Sequence, residues 1–336
     1  MASKLIAASV VSLALTAIGV AALPLDAAES DTAVVGTIGV PDSPQSLAVN
    51  PSTHRVYVTH DMVNVVSVVD ARSHATVDVI PVGNRPISVA VNPATNRIYV
   101  ATLADASVVV IDGATNQVTA TIDVSEAALG AGGGRPLRIA TNPMTNRIYA
   151  GLASVGGGSV VAIDGYANKV TAIVETGGRP GGVAVNSETN RVYATDQYNN
   201  AVLVIDGTAN TVVASIPVPS SPRSIAVNPA TNLVYAVSSD SHVASVIDGV
   251  THTVVATVPF CCYPSGVVAN SATNRIYVTN PGVAAVQVVD GASSAVVAAV
   301  NCIGIGNCFH GIDVDSATGL LNVVAANNTI GVIEEF

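Results

Sequence analysis

A unit of about 42 residues recurs along this chain and dictates what it can fold into. The clearest copy contains NPATNRIY at 92–99. It returns as NPSTHRVY at 50–57, NPMTNRIY at 142–149, NSETNRVY at 186–193, NPATNLVY at 228–235 and NSATNRIY at 270–277. A decayed copy, DSATGLLN, spans 315–322. Each copy holds four short runs of Val, Ile, Thr and Tyr bounded by turn residues. In the second copy these are 87–91, 97–101, 107–111 and 117–122. That is the composition of strands, and no sustained 3.6-residue apolar period follows residue 30. Asn-Pro-x-Thr-Asn reverses the chain after the first strand, and Asp-Gly-x-x-Asn reverses it after the third.

Four strands per unit of this length make a propeller blade. The chain ends before a seventh fourth strand forms. Upstream of the first full copy, the run VVGTIGV at 34–40 reads like the fourth-strand run VVATVPF at 254–260. The expected fold is therefore an all-β, seven-bladed β-propeller with four antiparallel strands per blade. An N-terminal strand completes the last blade and closes the ring, and one domain covers 31–336. Closure removes edges that would otherwise invite aggregation. The string Ile276-Tyr-Val-Thr-Asn280, with the surrounding Asn-x-x-Thr-Asn-Arg and Val-Ile-Asp-Gly elements, resembles the YVTN-repeat β-propeller family over roughly residues 31–336. The resemblance implies an exported or cell-surface propeller and carries no catalytic residue with it.

Residues 1–28 read as a secretory signal: Lys4, an apolar run over 5–25, then small residues, with cleavage after Ala22 or Ala28. An uncleaved membrane anchor is the alternative reading of the same run. With the signal removed, no membrane span is expected, and the mature chain is expected outside the cytoplasm as a monomer. The net charge of −10 argues against general nucleic-acid binding. Trp is absent and Phe occurs three times, so aromatic platforms for sugars or bases are scarce.

Propeller topology sorts side chains onto two rims. The repeated turns place Arg55, Arg97, Arg147, Arg191 and Arg275 on one rim, with His54, His74 and His252 in slots otherwise held by Asn. These read as turn residues and solvated charge. The other rim carries the variable loops. There Arg85, Arg135 and Arg179 precede the Pro that opens an inner strand, and Arg138 and Arg223 follow one. Guanidinium groups around a channel mouth predict a ligand-binding site for an anionic small molecule or an acidic protein partner. Pairing with acidic neighbours such as Asp61, Asp105, Asp196 and Asp240 is the plain alternative. The glycine-rich stretches 123–135 and 151–158 break the repeat length on this rim, and neither is a phosphate-binding fingerprint.

All four cysteines fall in two neighbouring connections of the variable rim. In an exported chain the expectation is disulfides, most simply Cys302–Cys308, with Cys261 or Cys262 crossing to the next loop. The alternative is a soft metal site of Cys261, Cys262, Cys302, Cys308 and His310. No cofactor is favoured, and a divalent metal is the alternative.

For catalysis the candidates are His60, His242, His310 and Asp313, the last in an inner-strand slot that holds Ala or Val in the other six copies. Asp313 also reads as a hydrogen-bonded plug in a degenerate blade. Lactonases and streptogramin lyases use similar propellers with His and carboxylates at the channel mouth, often around a divalent ion, but their motifs are not found here. Two functions stay open: an exported, non-catalytic binding or scaffold module, and a hydrolase or lyase.

Overall fold

The computed structural model describes residues 34–127, 134–302 and 308–334, the side chains of Phe309 and His310 excepted. The expected signal (1–28) and both cleavage positions lie outside the described residues, as does part of the glycine-rich connection (128–133). The strands form seven four-stranded antiparallel sheets. Blades 1 to 6 are each built from four consecutive strands; blade 1 runs Pro44–Asn50, Arg55–His60, Val65–Asp70 and Ala75–Pro81. The seventh sheet joins both ends of the chain. Val34–Gly39 lies beside Thr329–Ile333, with Thr37 opposite Gly331 and Ile38 opposite Ile330. The ring closes as the repeat count requires.

Alternation along the strands sends one set of side chains to each neighbouring blade. Among the described residues, seven apolar clusters fill the seven seams between blades. In blades 1 to 5 a small residue opposes a large one: Ala48, Ala90, Ala140, Ala184 and Ala226 face Tyr57, Tyr99, Tyr149, Tyr193 and Tyr235 across the first strand pair. Val268 faces Tyr277 in blade 6. Small against large keeps the seam tight without overpacking.

The repeated turn has a second task. Asn50, Asn92, Asn142, Asn186 and Asn228 end the first strands and are fully buried. Each Oδ1 accepts an N–H of its own turn, as from Ala94 at 3.1 Å and Met144 at 3.1 Å. Each Nδ2 crosses to the next blade and donates to the Oδ1 of Asn96, Asn146, Asn190, Asn232 or Asn274, at 2.7–2.9 Å. Those acceptors sit at φ 49–55°, in the left-handed region that Asn tolerates better than other non-glycine residues. Thus Asn-Pro-x-Thr-Asn makes a turn and a strap at once. His54, His74 and His252 take the same left-handed conformation, with φ 54°, 53° and 56°.

The closing seam departs from this plan. Asp315 replaces the strand-end Asn, and its carboxylate meets His54 Nδ1 at 2.7 Å across the blade 7–blade 1 boundary. Gly319, at φ 76°, replaces the left-handed Asn. Asp313 and Asn322 replace the Ala–Tyr pair and stand opposite each other. The same alternation aims Asp313 into the seam rather than at the axis. Its Oδ2 accepts the N–H of Val49 at 2.8 Å and its Oδ1 that of Val314 at 2.9 Å. Burial pushes its carboxyl up to about 6, despite those two hydrogen bonds.

Two predictions follow from the seams. Asn142→Ala removes a buried cross-blade donor and the acceptor of its own turn, and denaturant unfolding is expected to show a loss of about 2–3 kcal/mol. Asp313 binds its proton more tightly in the fold than in the unfolded chain. Its contribution to stability is therefore complete below about pH 4 and lost as pH rises through about 6. Asp313→Asn, measured by denaturation from about pH 4 to pH 7, is expected to flatten that decline; an unchanged slope would refute the assignment.

Candidate functional site

The variable rim is built where the inner strands begin. In blades 3, 4 and 5 the first strand carries Pro136, Pro180 and Pro222 at or next to its start, and the pairing with the second strand shifts register immediately afterwards. Leu137, Gly181 and Arg223 occupy those irregularities. A bulge re-aims the side chains around it. Here it turns the residues after Pro toward the channel mouth, where a cavity of about 150 Å³ is lined by Leu137, Arg138, Arg179, Gly181, Gln197, Arg223, Ser224 and Ser265.

Three of the five arginines expected at this mouth therefore share one cavity. Arg138 is half-buried, and its Nη1 donates to the Leu137 carbonyl at 2.9 Å. Burial, with the like charge of Arg179 beside it, pulls its pKa down. Arg179 donates to Gln197 Oε1 at 3.3 Å, and Arg223 Nε to Ser221 Oγ at 3.1 Å. Among the described residues no carboxylate lies within ion-pairing distance of these three; the pairs found are His54–Asp315 and Arg191–Asp206. The acidic residues of the rim are engaged elsewhere. Asp196 accepts from Tyr198 N, Asn199 N and Asn199 Nδ2. Asp105 accepts from Asn84 N and Nδ2, and Asp61 from Ser43 Oγ.

Arg85 and Arg135 are exposed and do not line the cavity. Arg85 is a turn residue at φ 55°, with its N–H on Asn64 Oδ1. Arg135 starts the first strand of blade 3, opposite Ala153. Gln197, Ser224 and Ser265 complete the wall and were not singled out from sequence. Aligning the two positions after each inner-strand Pro would have found both serines. Gln197 is placed by Gly181, since any side chain at 181 would collide with the Gln197 amide.

The candidates for catalysis do not converge. His60 is fully buried inside blade 1, with Nε2 at 2.8 Å from Ser67 Oγ and Nδ1 at 3.2 Å from the Asp42 carbonyl. Burial lowers its pKa and holds it neutral. His242 is a left-handed turn residue at φ 58°, in tilted contact with Tyr263, the ring centroids 4.8 Å apart and the planes at 44°. Asp313 lies in the closing seam, and the His310 side chain lies outside the described residues. On the opposite rim Arg97 and Arg147 are not merely solvated. They reach the Gly165 and Gly207 carbonyls of the next blade at 2.6 and 2.9 Å.

Cys302 and Cys308 form a disulfide and are fully buried in the seam between blades 6 and 7. Cys261 and Cys262 are free, which corrects the expectation that one of them crosses to the next loop. The bond occupies two of the four sulfurs of the alternative metal set. Among the described residues no group of three or more His, Cys, Asp or Glu is arranged to hold a metal ion. The disulfide is consistent with a location outside the cytoplasm. Among the described residues no helix is long and apolar enough to cross a membrane.

No protein-family model matches this chain, and no curated protein matches it. Among solved structures, it is similar to the Kuenenia stuttgartiensis hydrazine synthase. The two share 16% identity, with 87% of this chain and 96% of that chain covered and a TM-score of 0.75. At that identity the likeness is one of fold: both chains carry the propeller architecture.

Proposed function

We propose that this chain is an extracytoplasmic binding module whose variable rim takes a small multivalent oxyanion, such as a phosphate or a di- or tricarboxylate, between blades 3 and 6. The observation that carries the reading is the charge in the cavity. Arg138, Arg179 and Arg223 face one space, and among the described residues none of them is ion-paired; the nearby Asp196, opposite Pro180, is taken up by Tyr198 and Asn199. Arg179 and Arg223 are exposed and Arg138 is half-buried; like charges held this close repel one another, and a bound anion offsets that repulsion. Ser224, Ser265 and Gln197 supply further hydrogen-bond donors, and planar guanidinium forks suit carboxylate and phosphate oxygens. The cavity volume of about 150 Å³ favours a small ligand. The net charge of −10 repels polyanions at long range while the local field admits a small one.

Binding is favoured over hydrolysis or lysis because among the described residues no His or carboxylate lines the cavity with the three arginines. His60 has both ring nitrogens engaged inside a blade, and Asp313 is turned into a seam. The test is calorimetric titration of the protein with inorganic phosphate, sulfate and citrate at low salt. At least one is expected to bind. Arg138→Gln and Arg179→Gln are each expected to weaken it about 10- to 100-fold, with little loss of stability. Binding of none of the three, or unchanged affinity in both variants, would overturn the reading.

A further inference from the structure

We propose that Cys261 and Cys262 form a second functional site, a vicinal dithiol that closes reversibly into a disulfide and weakens anion binding when it does; the coupling rests on the anion reading above. These are the free cysteines of a protein whose other two are bonded. Cys261 is exposed and Cys262 half-buried. The Cys262 thiol lies against that of Cys261, and burial together with that neighbour raises the Cys261 pKa, so Cys261 rests as a thiol at neutral pH.

The segment has no slack. Asn280 Nδ2 donates to the Cys261 carbonyl and, at 2.9 Å, to Gln287 Oε1. Gly282 packs against Cys262 so closely that a side chain there would meet the Cys262 Cβ. Cys262 and Tyr263 are consecutive left-handed residues, at φ 55° and 50°, a conformation that is strained for residues other than glycine. Tyr263 leans on His242. Two residues further on, Ser265 lines the anion cavity, its N–H on the Thr279 carbonyl at 2.9 Å and its Oγ 2.9 Å from Thr279 Oγ1.

The oxidant is a small-molecule disulfide. One cysteine thiolate attacks it, forming a mixed disulfide and releasing one small thiol. The second cysteine then displaces the other small thiol. Two S–H bonds are lost, one protein S–S bond forms, and the small disulfide is reduced to two thiols. Bridging adjacent residues makes an eight-membered ring, which the present backbone must rotate to accommodate. Asn280 holds one side of the segment and Gly282 blocks the other. The rotation therefore passes forward to Tyr263 and Ser265 and withdraws a donor from the cavity.

The experiment uses the full chain, treated with oxidised glutathione, mapped by peptide mass and titrated with inorganic phosphate. Expected are a loss of about 2 Da on the peptide carrying 261–262, no retained glutathione, and phosphate affinity lowered about fivefold or more. The Cys261→Ser, Cys262→Ser double variant should bind phosphate equally with and without oxidant. Gly282→Ala crowds Cys262 without altering a thiol and should weaken phosphate binding in the reduced protein. A stable glutathione adduct, no mass loss, or mass loss with unchanged phosphate affinity would each overturn the proposal. Phosphate binding to neither form would overturn the coupling but leave the anion reading to the sulfate and citrate titrations, while the mass map decides the dithiol chemistry separately.

Discussion

The propeller depends on what one buried asparagine does at the end of the inner strand in blades 1 to 5. Its carbonyl oxygen closes a turn within its own blade, and its amide nitrogen crosses to the left-handed Asn of the next. A buried amide must be satisfied at both ends, because an orphaned donor or acceptor costs about 1–3 kcal/mol. Meeting that demand ties the conformation of one blade to the placement of its neighbour. The apolar seams supply most of the attraction between sheets, but they are non-directional. The amide strap sets how far each sheet turns relative to the last, and so relates to the number of sheets that close the ring.

Closure brings together sequence segments from opposite ends of the chain, and it uses different chemistry. The Asp315–His54 contact replaces the Asn–Asn strap, and the Asp313–Asn322 pair replaces Ala–Tyr. The side-chain atoms of Asn322 have no protein partner although the residue is fully buried. A seam between the first and last blades is thus more polar than the six formed by consecutive copies. Together with the strand pairing of Val34–Gly39, it makes the closing blade distinct in kind. Distinct seams disfavour pairing in the wrong register among near-identical repeats.

The site grows from the same scaffold. Turns on one rim are constrained by the straps, so they repeat. Loops on the other rim carry no such duty and diverge. Bulges after Pro136, Pro180 and Pro222 present divergent residues to the channel mouth from three consecutive blades. The dithiol connection enters the same mouth through Ser265. The arginine-lined cavity and the free thiol pair therefore share one rigid frame and one short segment.

Repetition made the fold legible in the sequence. Four strand runs, two turn signatures and a displaced half-copy leave little freedom, because turn chemistry and strand alternation are local properties. The left-handed slot of His54 was readable from its Asn equivalents; Cys302–Cys308 was the simplest of three pairings open to four cysteines, and only the structure chose it. The site was legible only in part. Arg138, Arg179 and Arg223 line one cavity while Arg85 and Arg135 do not, although Arg85, Arg135 and Arg179 all directly precede a Pro, so the local motif does not tell which of them enter. Strand alternation sends Asp313 into a seam and His60 into a blade. Local chain chemistry thus determined the strands, turns and blade count by itself. Which charges meet, and which thiols stay apart, was decided by contacts between residues distant in sequence, and only the closed ring brings those together.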